Sequence, residues 1–81
     1  MIDMSNMFCK CFSLISLNLS NFNTYNVKNM KNMFYKCYSL TYLDLSNFDT
    51  YNVNDMSNIF SKLNYNCNIQ TKDEKLLKII K

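Results

Sequence analysis

Residues 30–55, MKNMFYKCYSLTYLDLSNFDTYNVND, repeat residues 4–29, MSNMFCKCFSLISLNLSNFNTYNVKN, with 17 of 26 positions identical. A third segment starts 26 residues further on, at Met56, and loses the pattern after Leu63. Internal repetition at this period is typical of arrays in which each unit packs on its neighbours. The sequence therefore predicts a short repeat array.

The chain length allows a single small domain. Its 81 residues, 48% of them hydrophobic, suffice for one core at most. We expect one domain over residues 1–81, which contains two full repeats, one partial repeat and a C-terminal cap. These parts are predicted at residues 4–29, 30–55, 56–63 and 64–81.

Each repeat opens with the spacing of an amphipathic helix. Met4, Met7, Phe8 and Cys11 follow the pattern i, i+3, i+4, i+7, which places apolar side chains on one helical face. An Asp or Asn residue precedes each start and is a suitable N-cap. The pattern predicts short helices at residues 4–10, 30–36 and 56–62, capped by Asp3, Asn29 and Asp55.

A leucine pattern comes after each predicted helix. Residues 14–19 and 40–45 both read L-x-x-L-x-L. Alternation over so few residues indicates a strand with one buried face. We expect residues 15–19 to pair in parallel with residues 41–45. The predicted fold class is α/β: a short leucine-rich repeat solenoid with one short helix and one or two parallel strands per repeat, closed by a C-terminal capping helix.

The run MKNMFYKCYSLTYLDLSNFDTYNVNDM, residues 30–56, resembles the consensus of the BspA-type leucine-rich repeat surface proteins. The resemblance covers roughly residues 3–63. It implies a solenoid at the cell surface or outside the cell, of a kind associated with adhesion to host proteins or other cells. It implies no enzyme activity. We expect neither a signal peptide nor a membrane anchor in these 81 residues, because they contain no long apolar stretch and no basic N-terminal region followed by an apolar core.

Partner binding is expected on the outward side of the strands, since L-x-x-L-x-L sends leucine inward and its neighbours to the open face. Tyr42 is the expected anchor, because aromatic side chains carry much of the binding energy of interfaces. The alternative is an ordinary solvated sheet face. The candidate protein-binding residues are Ser16, Asn18, Ser20, Tyr42, Asp44 and Ser46.

The composition excludes several classes of site chemistry. The chain has no His and no Gly, so imidazole bases, Cys/His zinc sites and glycine-rich phosphate loops are absent. We expect no enzyme activity, no cofactor and no small-molecule substrate. A zinc site from Cys9, Cys11, Cys37 and Cys67 is disfavoured, because their spacing lacks paired C-x-x-C knuckles. We expect Cys11 and Cys37 to be buried, reduced and metal-free, with Cys9 as the most exposed thiol.

The charge pattern indicates no particular partner. Nine lysines and six acids give a net charge of +3 that is spread along the chain. Lysines beside aromatic residues can bind single-stranded nucleic acid, but most of the aromatic side chains recur in phase and are expected in the core. We therefore expect no nucleic-acid ligand.

The two ends of the array are predicted to differ. In the tail, Thr71 and Glu74 fit a capping box, and a helix over residues 71–81 is expected to cover the last repeat with one apolar stripe. The alternative is a basic amphipathic helix on an anionic membrane. The stripe is Leu76, Leu77, Ile79 and Ile80.

The first repeat is expected to expose apolar side chains and to self-associate there. These side chains are Met4, Met7, Leu14, Leu17 and Phe22. The functional prediction is a non-enzymatic protein-interaction module. The alternative is a structural fragment of a longer repeat array, or a degraded gene copy, with no ligand of its own.

Overall fold

Leucines that recur in phase are expected in strands that lie next to each other. The computed structural model describes residues 2–80 and places the leucine-containing strands side by side. Within this range the chain is a small mixed α/β structure with five short strands in two parallel sheets and one C-terminal helix. Neither sheet closes on itself. The strands are β1 Ile2–Asp3, β2 Ser16–Asn18, β3 Val27–Asn29, β4 Tyr42–Asp44 and β5 Asn68–Gln70, and the helix is α1 Glu74–Ile80.

The larger sheet has the order β2-β4-β5 and keeps a constant offset of 26 residues. Leu17 lies beside Leu43, and Leu43 lies beside Ile69. The predicted parallel pairing is confirmed, although β2 and β4 are each three residues long and shorter than expected. The smaller sheet pairs β1 with β3, and an isolated parallel bridge joins Asn29 to Asp55.

Three stretches of chain thus lie side by side, and we refer to residues 2–26, 27–52 and 53–70 as the first, second and third layers. The second layer lies between the other two and supplies most of the core. Its inward apolar side chains have almost no access to solvent, because both neighbouring layers cover them. The buried members are Val27, Met30, Met33, Phe34, Cys37, Leu40, Leu43, Leu45 and Phe48.

The predicted repeat helices are wrong: within residues 2–80 the only helix is α1. Residues 4–11 instead form successive β-turns, closed by hydrogen bonds from Met7 N–H to Met4 O (3.3 Å) and from Cys11 N–H to Phe8 O (3.2 Å). Positions i, i+3, i+4 and i+7 are the first and last residues of two consecutive four-residue turns. The apolar spacing of a helix therefore also fits a pair of turns whose ends face the core.

Backbone conformation and hydrogen bonding between layers favour these turns over helices. The third residue of each turn has a positive φ, as type II turns require, and here it is Asn or Lys instead of Gly. Alternate N–H groups are directed at the next layer, for example Phe8 N–H to Met33 O at 2.9 Å. The positive-φ residues are Asn6, Lys10, Asn32, Lys36, Asn58 and Lys62.

The residues predicted as N-caps cap turns instead. A side-chain oxygen of Asp3, Asn29 or Asp55 accepts the N–H group two residues further on, at 2.8 to 2.9 Å. The same short polar side chain can serve an N-cap or an Asx turn, since both satisfy a nearby backbone N–H. The sequence therefore predicts the polar cap correctly, but the cap begins a turn where a helix is expected.

The C-terminal helix is confirmed but begins later than predicted, at Glu74. Asp73 is its N-cap: Oδ1 accepts from Leu76 N–H at 3.0 Å, and Thr71 Oγ1 accepts from Asp73 N–H at 3.1 Å. The Thr71–Glu74 capping box does not form. Met1 and Lys81, the ends of the predicted domain and helix, lie outside the described residues.

The predicted apolar stripe of α1 only partly covers the core. Leu76 is fully buried, whereas Leu77, Ile79 and Ile80 remain exposed. The segment before α1, placed in the predicted cap, contains β5, which extends the sheet in the same register as the two strands before it. The third layer therefore continues to Gln70, well beyond Leu63.

Candidate functional site

The outward side of β2, β4 and β5, which we call the strand face, holds the predicted binding residues in two rows. In each strand one inward apolar residue, Leu17, Leu43 or Ile69, lies between two outward residues, as a half-buried sheet requires. One row contains Ser16, Tyr42 and Asn68, and the other contains Asn18, Asp44 and Gln70. Of the predicted residues, Ser16, Asn18, Tyr42 and Asp44 therefore lie together.

Ser20 and Ser46 lie just after their strands, in turns, and are half-buried. Each donates its backbone N–H to the outward residue two positions earlier. The distances are 2.9 Å from Ser20 N to Asn18 Oδ1 and 3.0 Å from Ser46 N to Asp44 Oδ1. The two serines therefore orient their neighbours on the face.

Asp44 is the one charged side chain in the three strands of the face. Hydrogen bonds from Ser46 lower the pKa of its carboxyl group, and the Tyr42 hydroxyl, which donates to Oδ2 at 3.4 Å, adds to this. Asp44 is therefore ionised at neutral pH. The face presents a carboxylate and an aromatic ring within one strand, a pairing suited to a cationic side chain with apolar surface beside it.

Sequence reasoning missed Asn68 and Gln70, which complete the two rows, because the repeat pattern is no longer recognisable after Leu63. The 26-residue spacing of the repeat could have identified this third strand. Ile69 follows Leu43 by 26 residues and stands between two polar residues, as Leu43 stands between Tyr42 and Asp44. Gln70 Nε2 donates to Asn68 Oδ1 at 2.6 Å, so the third strand presents a linked pair of amides.

The cysteines differ in burial. Cys37 is fully buried, as predicted, and burial raises the pKa of its thiol, which donates to Phe8 O at 3.1 Å. The predicted burial of Cys11 is wrong: Cys11 is only half-buried, because within residues 2–80 its layer has a neighbour on one side alone. Cys9 is also half-buried, and burial raises the pKa of Cys67. Among residues 2–80, no three potential metal-ligating side chains lie close enough to hold an ion.

Two aromatic features lie outside the core. Phe12 and Tyr38 are exposed and stack with their ring centroids 5.6 Å apart, and Lys36 Nζ lies 5.3 Å from the centroid of the Tyr35 ring.

In the described range, no helix reaches the length and apolarity that crossing a bilayer requires.

The chain matches a protein family over nearly its whole length. A family model described as "Mycoplasma protein of unknown function, DUF285" matches residues 1–79. The chain belongs to this family. No curated protein and no solved structure matches the chain significantly. The DUF285 match covers all five strands and nearly all of α1, so the strand face lies entirely within the family segment.

Proposed function

We propose that this DUF285 protein is a non-enzymatic protein-interaction module that binds a polypeptide ligand on its strand face. The observation that carries the proposal is the constant register of β2, β4 and β5, which aligns outward side chains from three distant parts of the chain in two rows. Rows of side chains on a rigid sheet are pre-organised, which lowers the entropic cost of binding.

The proposed architecture is a short leucine-rich repeat solenoid. Its support is the 26-residue offset, which recurs in the larger sheet and at the Asn29–Asp55 bridge, and which lies within the 20–29 residues of leucine-rich repeats. The resemblance to BspA-type surface repeats adds an adhesive role at the cell surface to the proposal. Solenoids of this kind bind partners on extended faces.

The chemistry of the strand face favours a basic peptide segment. Tyr42 is 36% exposed and provides an aromatic contact, while the ionised Asp44 beside it provides a charge-assisted acceptor. Amide and hydroxyl groups of the neighbouring strands supply further polar contacts. Three strands span only about 10 Å, so we expect a small interface and an affinity in the micromolar range or weaker.

The second candidate function is that of a structural part of a longer repeat array, with no ligand of its own. The observation in its favour is the incomplete burial of the first layer, where Leu14, Leu17 and Phe22 are more exposed than their counterparts in the second layer. In this alternative the strand face is an ordinary solvated surface.

Selection from a random 12-residue peptide library on the immobilised protein separates the two functions. We expect enriched peptides that contain Lys or Arg, lose at least tenfold in affinity on Tyr42→Ala, and weaken on Asp44→Asn. Tyr51→Ala is the matched control, since Tyr51 is 77% exposed and lies outside the strand face. Enriched peptides indifferent to Tyr42, or no enrichment at all, would contradict the proposal and support the structural role.

A further inference from the structure

The backbone N–H groups of the turn segments that hydrogen-bond to another layer all donate toward the next layer. N–H groups of Asn6 and Phe8 donate to carbonyl oxygens of the second layer, at 2.9 Å each. The second layer repeats the arrangement toward the third, where Asn32 and Phe34 donate at 3.0 Å to Ser57 O and Ile59 O. In the turn segments, each layer therefore gives backbone N–H groups to the next layer and offers carbonyl oxygens to the layer before it.

This polarity leaves complementary groups at the two ends of the described chain. On the first layer, the equivalent carbonyl oxygens accept no hydrogen bond from residues 2–80; we call them the acceptor edge, formed by Ser5, Met7 and Cys9. On the third layer, the equivalent N–H groups find no acceptor in the same range; we call them the donor edge, formed by Asn58, Phe60 and Lys62.

Apolar packing is interrupted at the acceptor edge as well. Met7 is 45% exposed, whereas Met33, its counterpart one layer on, is 0% exposed. The rings of Phe8, Phe34 and Phe60 stack at centroid distances of 5.6 and 5.9 Å, and this column ends at the half-buried Phe8. The first layer covers Met33, so the same kind of surface would cover Met7.

The geometry points to a second copy of this chain as the occupant of the acceptor edge, bound head to tail through its donor edge. Such a contact would repeat the N–H to carbonyl pattern already present between layers and extend the phenylalanine column from Phe60 of one copy to Phe8 of the next. Head-to-head contact would oppose two sets of carbonyl oxygens, which cannot pair with each other. Head-to-tail contacts are heterologous, and they generate open-ended assemblies when successive copies stack without closing a ring.

Helix α1 borders the donor edge without filling it. Ile79 and Ile80 line an open groove of about 230 Å³ together with Phe60, Leu63 and Ile69. Of the apolar side chains of the helix, only Leu76 is buried. A copy that stacks on the third layer therefore has to displace the last turn of α1, while Asp73 can keep the start of the helix in place on Thr50.

Sedimentation equilibrium of the full chain in about 0.15 M salt tests the inference, since salt screens the repulsion between copies of like net charge. We expect a mass that rises with concentration beyond that of a dimer. Met7→Lys and Met7→Glu should each weaken association at least tenfold, because either charge interrupts the apolar contact. Tyr51→Lys, a control at an exposed site away from both edges, should associate like the unchanged chain.

Mixing the variants with the unchanged chain establishes the direction of the contact. Met7→Lys keeps an intact donor edge, so an excess of it should cap assemblies of the unchanged, labelled chain and shorten them. Circular dichroism verifies that the variant is folded. A monomer at every concentration, a closed dimer, or assemblies that a folded Met7→Lys variant leaves unshortened would overturn the inference. This test requires no ligand on the strand face, so its outcome is separate from that of the peptide selection.

Discussion

The first and second layers contain nearly the same sequence but differ in surroundings. Leu17 and Leu43 occupy equivalent places in β2 and β4, yet Leu43 is fully buried and Leu17 is only half-buried. The first-layer residue is also the more exposed one in three other equivalent pairs, which are Met7 and Met33, Phe8 and Phe34, and Cys11 and Cys37. In these pairs burial therefore follows the presence of a layer on both sides, and the comparison predicts that equal substitutions will have unequal effects. The expected exposure of Met4 is wrong, because Met4 and Leu19 are buried within the first layer.

The largest expected difference comes from truncating these paired leucines. Leu43→Ala removes a fully buried side chain and leaves a cavity, which should lower the free energy of unfolding by about 3 kcal/mol. Leu17→Ala removes less buried area and should cost about 1 kcal/mol. Urea unfolding of both variants measures the difference. Equal costs would show that the first layer is covered as well as the second.

The next largest effect is expected at Asp73, which links α1 to the second layer. Its carboxylate accepts from Thr50 N–H and Thr50 Oγ1, both at 2.8 Å, and from Leu76 N–H at 3.0 Å. Asp73→Ala removes the helix cap and leaves the Thr50 groups without partners, which should cost about 2 kcal/mol. Asp49→Ala is the control, because Asp49 is exposed and its carboxylate accepts only from Tyr51 N–H.

The same carboxylate predicts a dependence on pH. Burial raises the pKa of Asp73, but hydrogen bonds from Leu76, Thr50 and Lys75 outweigh it, so the pKa is lowered overall. A carboxyl group whose pKa is lower in the folded state stabilises the fold above its unfolded pKa of about 3.9. This stabilisation is lost as the pH falls through the folded pKa. Asp73→Ala should therefore show a shallower loss of stability between about pH 5 and pH 2, measured by thermal melting.

The strands of the fold could be predicted from the sequence better than its turns. The 26-residue period identified the parallel register of β2 and β4, because identical leucine patterns must align. The turns at residues 4–11 were missed, because a pair of turns and a helix share the same apolar spacing. The positive φ of Lys10 carries no sequence signal, since Gly or Asn is usual there. Four of six predicted binding residues share the strand face, and β5 was missed because its leucine is replaced by Ile69.

A further test compares the paired thiols of Cys11 and Cys37. Cys37 is buried and burial raises the pKa of its thiol, so little reactive thiolate forms. Cys11 is half-buried in the equivalent position of the first layer. We expect an alkylating reagent to modify Cys11 at least tenfold faster than Cys37 in the folded protein. Peptide mapping by mass spectrometry measures both rates, and unfolding in urea should make them similar.

The smallest expected effect concerns the strained turns. Lys10 has a φ of 62°, which costs an L-amino acid about 1–2 kcal/mol and costs Gly almost nothing. Gly also loses more conformational entropy than Lys on folding, which offsets part of this gain. The net result is that Lys10→Gly should raise the free energy of unfolding by about 0.5 kcal/mol. Lys28→Gly, in β3 without a positive φ, should lower it by about 1 kcal/mol.

Amide hydrogen exchange tests the layered arrangement most directly. At concentrations where the chain is monomeric, the N–H groups of Asn32, Phe34 and Lys36 should be protected, because each donates to the third layer. The N–H groups of the donor edge have no acceptor in the described chain and should exchange at least a hundredfold faster. Similar protection in both sets, as three equivalent repeat helices would give, would contradict the account.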